Sequence, residues 1–130
     1  MNIGALLHRR LETLAPASNC AQAALIMREH HVGSIVVVEH GRPLGIVTDH
    51  DLVTRVMALG CNPAEMPVGE VMTPFPTQLT TSTSTDEAVS TMRRLAIRRL
   101  PVVDEAGALV GVITLDDLVI HFAHQLRAMS

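Results

Sequence analysis

The chain has 130 residues, a formal net charge of −3 and two cysteines, and 48% of its residues are hydrophobic while only 2% are aromatic. A chain of this length is one domain that buries roughly two-thirds of its unfolded surface. Phe75 and Phe122 are its only aromatic residues of the Phe, Tyr and Trp types, so it lacks a base-stacking platform, and its negative charge opposes phosphate-backbone binding. We therefore expect no nucleic-acid partner.

The N-terminus predicts neither a secretory signal nor a membrane segment. Residues 1–7 lack a basic lead before a long apolar run, and the longest apolar stretch, around residues 35–38, is far too short to span a bilayer. Cys20 and Cys61 show no metal-type spacing, and we interpret them as reduced thiols. These features favour a cytoplasmic protein.

The first elements are predicted from helix-capping residues and from the spacing of apolar residues. Residues 3–7 are typical of a short helical turn and residues 11–14 of a short strand, while Asn19 and Gln22 have the spacing of a helix capping box. The helix that follows has one stripe of positions expected to be buried. These positions are Ala23, Ile26, Met27 and His30.

Two strands and a helix complete the first half. Residues 34–38 and 44–47 are apolar runs of the length expected for strands covered on both faces. The closing helix carries apolar residues at Leu52, Val53, Val56 and Leu59. The predicted order is strand, helix, strand, strand, helix.

The second half repeats the first. Sliding the chain by 65 positions superposes Ile3-Gly4 on Val68-Gly69 and Val37-Val38 on Val102-Val103. One extra residue in the second hairpin loop then changes the offset to 111 − 45 = 66, which aligns GIVTDHDL with GVITLDDL. We predict two repeats, 1–65 and 66–130, that fold as one unit because each alone would be marginal. In the second repeat the predicted turn, strand and helix cap fall at 68–72, 77–79 and Ser84 with Glu87.

The pattern G-x-x-T-x-x-D stands at the predicted strand-to-helix corner of each repeat. A capping box explains the threonine and the aspartate, but it does not explain a glycine three residues earlier, which lets a backbone or a ligand approach closely. A helix start suits phosphate, and a carboxylate can accept both hydroxyls of a ribose. The pattern therefore indicates a nucleoside phosphate site in each repeat, at Gly45, Thr48 and Asp51 and at Gly111, Thr114 and Asp117.

These two motifs, with RRLPVVDEAGALVG at 98–111 and VGEVMTP at 68–74, resemble the paired cystathionine-β-synthase (CBS) domains, or Bateman module. The resemblance implies an α/β (α+β) fold of two β-α-β-β-α repeats, packed sheet to sheet with pseudo-twofold symmetry. It also implies two clefts for AMP, ADP, ATP or S-adenosylmethionine as regulatory ligands, and no other cofactor. Asp51 and Asp117 would hold ribose, and Thr48 and Thr114 would meet ribose or phosphate. The residues expected to line the clefts are Gly33, Ser34, Gly45, Gly111 and Pro101.

The two clefts are expected to differ at the opening of the second strand. Gly33-Ser34 in the first repeat correspond to Arg98-Arg99 in the second, by the offset of 65. Guanidinium groups can bind phosphate oxygens through charge-assisted hydrogen bonds. We expect the Asp117 cleft to prefer phosphorylated adenosine. The alternative is that Arg98 and Arg99, like Arg93 and Arg94, form a solvated basic face.

No nucleophile with a positioned base can be identified, so an enzyme is not expected. The sequence favours a stand-alone regulatory module that senses adenosine-containing ligands and modulates an unknown effector protein. The competing hypothesis is a ligand-free scaffold for dimerisation or protein interaction, and the apolar content favours a homodimer in either case. A third hypothesis is a metal sensor using His121 and His124, although without a third ligand these are better interpreted as surface histidines.

Overall fold

The computed structural model describes residues 1–129, and Ser130 lies outside the described residues. The chain forms two compact units. The first-repeat unit is Leu11–Pro76, and the second-repeat unit combines Met1–Arg10 with the chain from Thr77 onward. The units therefore depart from the predicted sequence division between residues 65 and 66, because the segment that leads each sequence repeat packs with the core of the other.

The first-repeat unit is a four-stranded sheet with helices. Its elements are β1 (Thr13–Leu14), α1 (Cys20–His30), β2 (Ser34–Glu39), β3 (Arg42–Thr48), α2 (Asp49–Leu52), α3 (Val68–Val71) and β4 (Thr73–Pro74). The strands follow the order β1-β2-β3-β4, with β1 parallel to β2 and the other neighbours antiparallel. Helix α2 continues directly into a π-helical segment, Val53–Met57.

The second-repeat unit is a three-stranded sheet with two longer helices. Its elements are a 3-10 turn (Ile3–Ala5), β5 (Leu79–Thr80), α4 (Thr85–Leu95), β6 (Arg99–Val103), β7 (Leu109–Thr114) and α5 (Leu115–Ala128). The strand order is β5-β6-β7, with β5 parallel to β6 and β6 antiparallel to β7. The mixed α/β class expected from the sequence is confirmed.

Each unit has its own aliphatic core, in line with the scarcity of aromatic residues. In the second-repeat unit, Ile3 of the leading segment is fully buried with Leu100, Ile113 and Leu118. In the first-repeat unit, Val68 and Val71 of α3 are buried with Ile35, Val37 and Val47. The leading segments join these cores because each large aliphatic side chain that they remove from water stabilises the fold by about 1.5–3 kcal/mol.

Helix α1 begins as predicted, but its buried face is shorter than predicted. Asn19 and Gln22 form a complete capping box, with hydrogen bonds of 2.9 and 3.0 Å. Ala23 is fully buried, but the predicted buried stripe does not reach His30. His30 lies in the last turn, where its exposed imidazole Nδ1 is 3.2 Å from Glu12 Oε1. The prediction that His30 lies on the buried face is wrong, because its imidazole meets the Glu12 carboxylate outside the core.

Strands β1 and β5 are shorter than predicted, with two residues each. Both are parallel edge strands whose partners lie more than twenty residues further along the chain, so their lengths depend on contacts that local periodicity does not contain. Within residues 1–129, none of the helices combines the length and apolarity needed to cross a bilayer.

Candidate functional site: two strand-to-helix corners

The first corner joins β3 to α2 in the first-repeat unit. Thr48 Oγ1 accepts a hydrogen bond from the Asp51 backbone N–H at 3.1 Å, and Asp51 Oδ2 accepts one from the Thr48 backbone N–H at 2.9 Å. The predicted capping box is therefore complete. Asp51 is only 6% exposed, so its carboxylate is enclosed by the corner that it caps.

Arg55 lies one turn after Asp51 and was not singled out from the sequence. Its Nη1 donates to the Val71 carbonyl at 2.8 Å and to the Met72 carbonyl at 3.2 Å, and it lies 3.8 Å from Asp51 Oδ1. The guanidinium thus fastens α3 to the first corner and faces the buried carboxylate. The i, i+4 spacing from Asp51 is the sequence signal that could have identified it.

The second corner joins β7 to α5 in the second-repeat unit. Thr114 Oγ1 accepts from the Asp117 backbone N–H at 3.2 Å and donates to Asp117 Oδ2 at 2.6 Å. The Thr114 side chain caps the helix, as Thr48 does at the first corner. The aspartates differ, because Asp51 bonds to the Thr48 backbone whereas Asp117 bonds to the Thr114 side chain. The Asp117 side chain is 27% exposed, more than that of Asp51.

His8 is a further partner of Asp117, and the sequence did not predict this contact. Its Nε2 lies 2.6 Å from Asp117 Oδ2, although 109 positions separate the two residues in the sequence. The His8 backbone is bonded to β7, since its N–H donates to the Val112 carbonyl at 2.9 Å and its carbonyl accepts from the Val112 N–H at 3.1 Å. No local pattern could have found this contact, because it arises from the leading segment crossing to the other repeat.

The motif glycines make room for these leading segments. A Cβ at Gly45 would lie 2.6 Å from the Thr73 carbonyl oxygen, and one at Gly111 would lie 3.0 Å from the His8 carbonyl oxygen. The sequence interpretation that glycine permits a close approach thus has a structural counterpart, and the approaching group is the chain's own backbone. A part for Gly45 and Gly111 in lining a ligand site stays a prediction.

The second strand of each repeat opens beside its corner. Ser34 pairs with Thr48 in the β2–β3 ladder, and Arg99 pairs with Thr114 in the β6–β7 ladder. The residue before each is bonded to the start of the closing helix. The Gly33 carbonyl accepts from the Asp49 N–H at 3.0 Å, and the Arg98 carbonyl accepts from the Leu115 N–H at 2.7 Å. The register therefore brings the strand openings and the corners together.

The two corners differ in charge at these positions. Arg98 Nη2 donates to Asp116 Oδ1 at 3.0 Å, in an ion pair whose side chains are 70% and 76% exposed, and Arg99 is exposed beside it. At the first corner, the place next to Gly33 is taken by the Asp49 carboxylate, 3.4 Å from where a Gly33 Cβ would lie. Each corner has two acidic residues in its first helical turn, and the second corner adds two arginines where the first has Gly33 and Ser34.

Pro101, the last of the predicted lining residues, is fully buried opposite Val112 in the β6–β7 ladder. Its contact with a ligand stays a prediction. His121, proposed as half of a metal pair, packs its ring against Phe122 with centroids 5.7 Å apart, and its buried Nε2 has no hydrogen-bond partner among residues 1–129. In the described part of the chain, no three His, Cys, Asp or Glu side chains converge as a metal site would require.

Both cysteines are free thiols in the first-repeat unit. Burial raises the pKa of the Cys20 thiol, and the neighbouring Cys61 raises it further. Cys20 is 1% exposed and packs in the core, so its thiol acts as a small apolar group.

A duplicated β-α-β-β-α arrangement with a threonine and an aspartate at each strand-to-helix corner defines the class of fold, and the comparisons with known proteins agree. The family model of the CBS domain matches twice, at residues 3–58 and 68–124. The chain belongs to the CBS-domain family and carries two copies of the domain in tandem, as the resemblance implied.

Individual relatives extend the comparison. The chain is 36% identical over 119 residues to the uncharacterized protein MK0525 of Methanopyrus kandleri, covering 91% of this chain and 61% of that protein. It is 37% identical over 112 residues to the CBS domain-containing protein YhcV of Bacillus subtilis, covering 86% of this chain and 79% of that protein. A solved structure of a putative signal-transduction protein with CBS domains from Burkholderia ambifaria superposes with a TM-score of 0.77 at 29% identity, covering 94% of this chain and 93% of that chain.

Proposed function

We propose that this CBS pair is a regulatory module that binds a phosphorylated adenosine ligand at the second corner and thereby modulates an effector protein. The observation that carries the proposal is the pairing of Arg99 with Thr114, which puts an exposed arginine opposite the threonine of the corner in the β6–β7 ladder. Thr114 and Asp117 supply a hydroxyl and a carboxylate for ribose, and Arg98 and Arg99 supply cationic donors for phosphate.

The arginines are available for an anionic ligand. The Arg98–Asp116 ion pair is mostly exposed, and such pairs contribute between about zero and 1 kcal/mol to stability. A phosphate can therefore replace Asp116 as the partner of Arg98 at little cost to the fold. Arg99 is exposed and lies opposite Thr114 in the ladder, and we propose that it is the second arginine to bind the phosphate.

The first corner suits such a ligand less well. Asp51 is nearly buried, faces Arg55 and closes its own capping box, and Asp49 adds a negative charge next to Gly33. A phosphate brought to this corner would meet Asp49 where the second corner offers Arg98. We therefore propose that the first corner has lower affinity for nucleotides, or takes a less charged adenosine compound such as S-adenosylmethionine.

Regulation follows from linkage. A ligand shifts an equilibrium between two arrangements of a module, or of a module and its partner, only by its differential affinity for the two. The module needs no catalytic group for this, which agrees with our proposal that the protein is not an enzyme.

A thermal-shift panel tests the proposal. It compares AMP, ADP, ATP, S-adenosylmethionine, NADH and zinc, with uridine monophosphate as a control that offers phosphate and ribose without adenine. A ligand bound only by the folded chain at about 100 times its Kd stabilises it by about 2.7 kcal/mol and raises the unfolding midpoint. We expect at least one adenine nucleotide to raise the midpoint and uridine monophosphate to do so less. No shift with any adenine compound would contradict the proposal.

The second candidate function is a dimerisation or interaction scaffold without a ligand. The observation that favours it is a set of large apolar side chains that are more than half exposed on the closing helical segments. Isologous dimers are the commonest way to cover such side chains. A sedimentation experiment that shows a homodimer, together with no shift of the unfolding midpoint by any ligand of the panel, would support this function over ligand sensing. The exposed side chains are Val53, Met57, Val119, Ile120 and Leu126.

A further inference from the structure

The Asp117 carboxylate already has an internal partner that a ligand would have to displace. Asp117 Oδ2 accepts hydrogen bonds from both Thr114 Oγ1 and His8 Nε2, each at 2.6 Å. The threonine belongs to the corner itself, whereas the imidazole comes from the leading segment at the far end of the sequence. The oxygen that a ribose hydroxyl would approach is thus occupied by a side chain.

The backbone around His8 is held while its side chain remains accessible. Two hydrogen bonds join the His8 and Val112 backbones, Ile3 N–H donates to the Thr83 carbonyl at 2.9 Å, and Arg9 Nη2 donates to the Gly4 carbonyl at 3.0 Å. The His8 side chain is 59% exposed. The imidazole can therefore rotate into water while the segment that carries it stays in place.

We infer that His8 is an internal lock on the ligand site of the second corner, an inference that rests on the proposed function. A ribose cis-diol is held best when it donates to both carboxylate oxygens, and it cannot reach Oδ2 fully until the imidazole leaves. Ligand binding at this corner therefore breaks the His8–Asp117 hydrogen bond. The cost of breaking that bond makes the free energy of ligand binding less favourable. The lock sets how much ligand is needed to fill the site.

The lock is a property of one corner. The offset of 65 aligns His8 with Thr73, which has no group comparable to an imidazole, and Asp51 is instead met by Arg55 from its own helical segment. Arg55 is fixed by two backbone carbonyls, so it is a structural neighbour of its carboxylate. Within residues 1–129, the His8 side chain has one hydrogen bond, to Asp117, and it is released when that bond is exchanged for water.

The test is a double-mutant cycle on the full chain, with AMP titrated calorimetrically into the wild type, His8→Ala, Asp117→Asn and the double variant. We expect His8→Ala to bind AMP about three- to tenfold more tightly than the wild type, because one competing hydrogen bond is removed. In the Asp117→Asn background the His8 substitution is expected to have a much smaller effect. Arg9→Ala is the matched control, since it weakens the same segment without touching Asp117.

The outcomes separate the lock from the proposed function. Equal AMP affinity of the wild type and His8→Ala overturns the lock and leaves the proposed function standing, whereas no AMP binding by either overturns both. Tighter binding by Arg9→Ala to the same degree as His8→Ala would also overturn the lock, because it would trace the effect to a loosened segment. As a readout that does not depend on substitution, the imidazole NMR signals of His8 in the wild type should shift on addition of AMP, and unchanged signals at saturation contradict the lock.

Discussion

Gly45 lies against the backbone of Thr73, where strand β4 pairs with β3 at the edge of the sheet. A Cβ at Gly45 would lie 2.6 Å from the Thr73 carbonyl oxygen and 2.9 Å from Met72 Sδ, both well inside normal contact distance. The sequence predicted that this glycine permits a close approach, and the approaching backbone belongs to the segment that opens the second sequence repeat. The same relationship holds between Gly111 and the segment that begins the chain.

Substitution of Gly45 by alanine is therefore expected to destabilise the first-repeat unit by about 1–3 kcal/mol, because β4 must move away from β3. Chemical denaturation followed by circular dichroism measures the loss. Gly33→Ala is the matched control, since its Cβ would meet the nearest atom at an ordinary 3.4 Å. Equal stability of the two variants would contradict the close approach of the Thr73 carbonyl to Gly45.

The core of the second-repeat unit can be tested at two adjacent positions of α5. Leu118 is fully buried and Val119 is 57% exposed, although the two are similar in apolarity. Leu118→Ala is expected to cost about 2–5 kcal/mol through lost burial and a residual cavity. Val119→Ala is expected to change the free energy of unfolding by less than about 0.5 kcal/mol. A reversed order in denaturant unfolding would place the buried face of α5 elsewhere.

Arg55 is expected to stabilise the first-repeat unit through the Val71 and Met72 carbonyls. Arg55→Met keeps much of the apolar stem and removes the donors, and we expect it to lower the free energy of unfolding by about 1–2 kcal/mol. The ion pair to Asp51 adds little because the arginine side chain is nearly half exposed. Arg28→Met, at an exposed position of α1, is the control and should be near neutral. Similar losses of stability in both variants would show that Arg55 does not fasten α3 to the first corner.

Cys20 gives a prediction about pH, because burial and the neighbouring Cys61 raise its pKa above the ordinary 9.0. The folded chain keeps the thiol proton at a pH where the unfolded chain loses it. The contribution of Cys20 to stability is therefore present below pH 9.0 and declines as the pH rises through the raised pKa. Unfolding measured across this alkaline range should show a smaller loss of stability in Cys20→Ala than in the wild type, and equal losses would contradict the assignment.

The sequence was informative where structure depends on neighbouring residues. Helix α1 begins at its predicted capping box, and the corners at Thr48 and Thr114 cap their helices as the spacing indicated. The tandem CBS identity followed from the same motifs, since a duplicated pattern marks equivalent positions wherever the halves lie. Local hydrogen bonds and periodicity were sufficient for these predictions.

The partners of the two aspartates could not be predicted in the same way. His8 reaches Asp117 because the leading segment joins the second-repeat unit, and this exchange depends on the burial of Ile3 and on hydrogen bonds to Thr83 and Val112. The sequence repeat places residue 8 in the first half and contains no signal for that crossing. Contacts between distant segments are set by packing in three dimensions, which one sequence does not reveal.

The central claim is that the second corner is a nucleotide site with Arg99 on the phosphate, and isothermal titration of AMP tests it most directly. The proposal predicts that Arg99→Ala weakens AMP binding by about tenfold, as expected when a charge-assisted hydrogen bond of the site is lost. Arg93→Ala, at an exposed position of α4, is the matched control and should leave the affinity unchanged. Unchanged affinity and stoichiometry in Arg99→Ala would contradict the account.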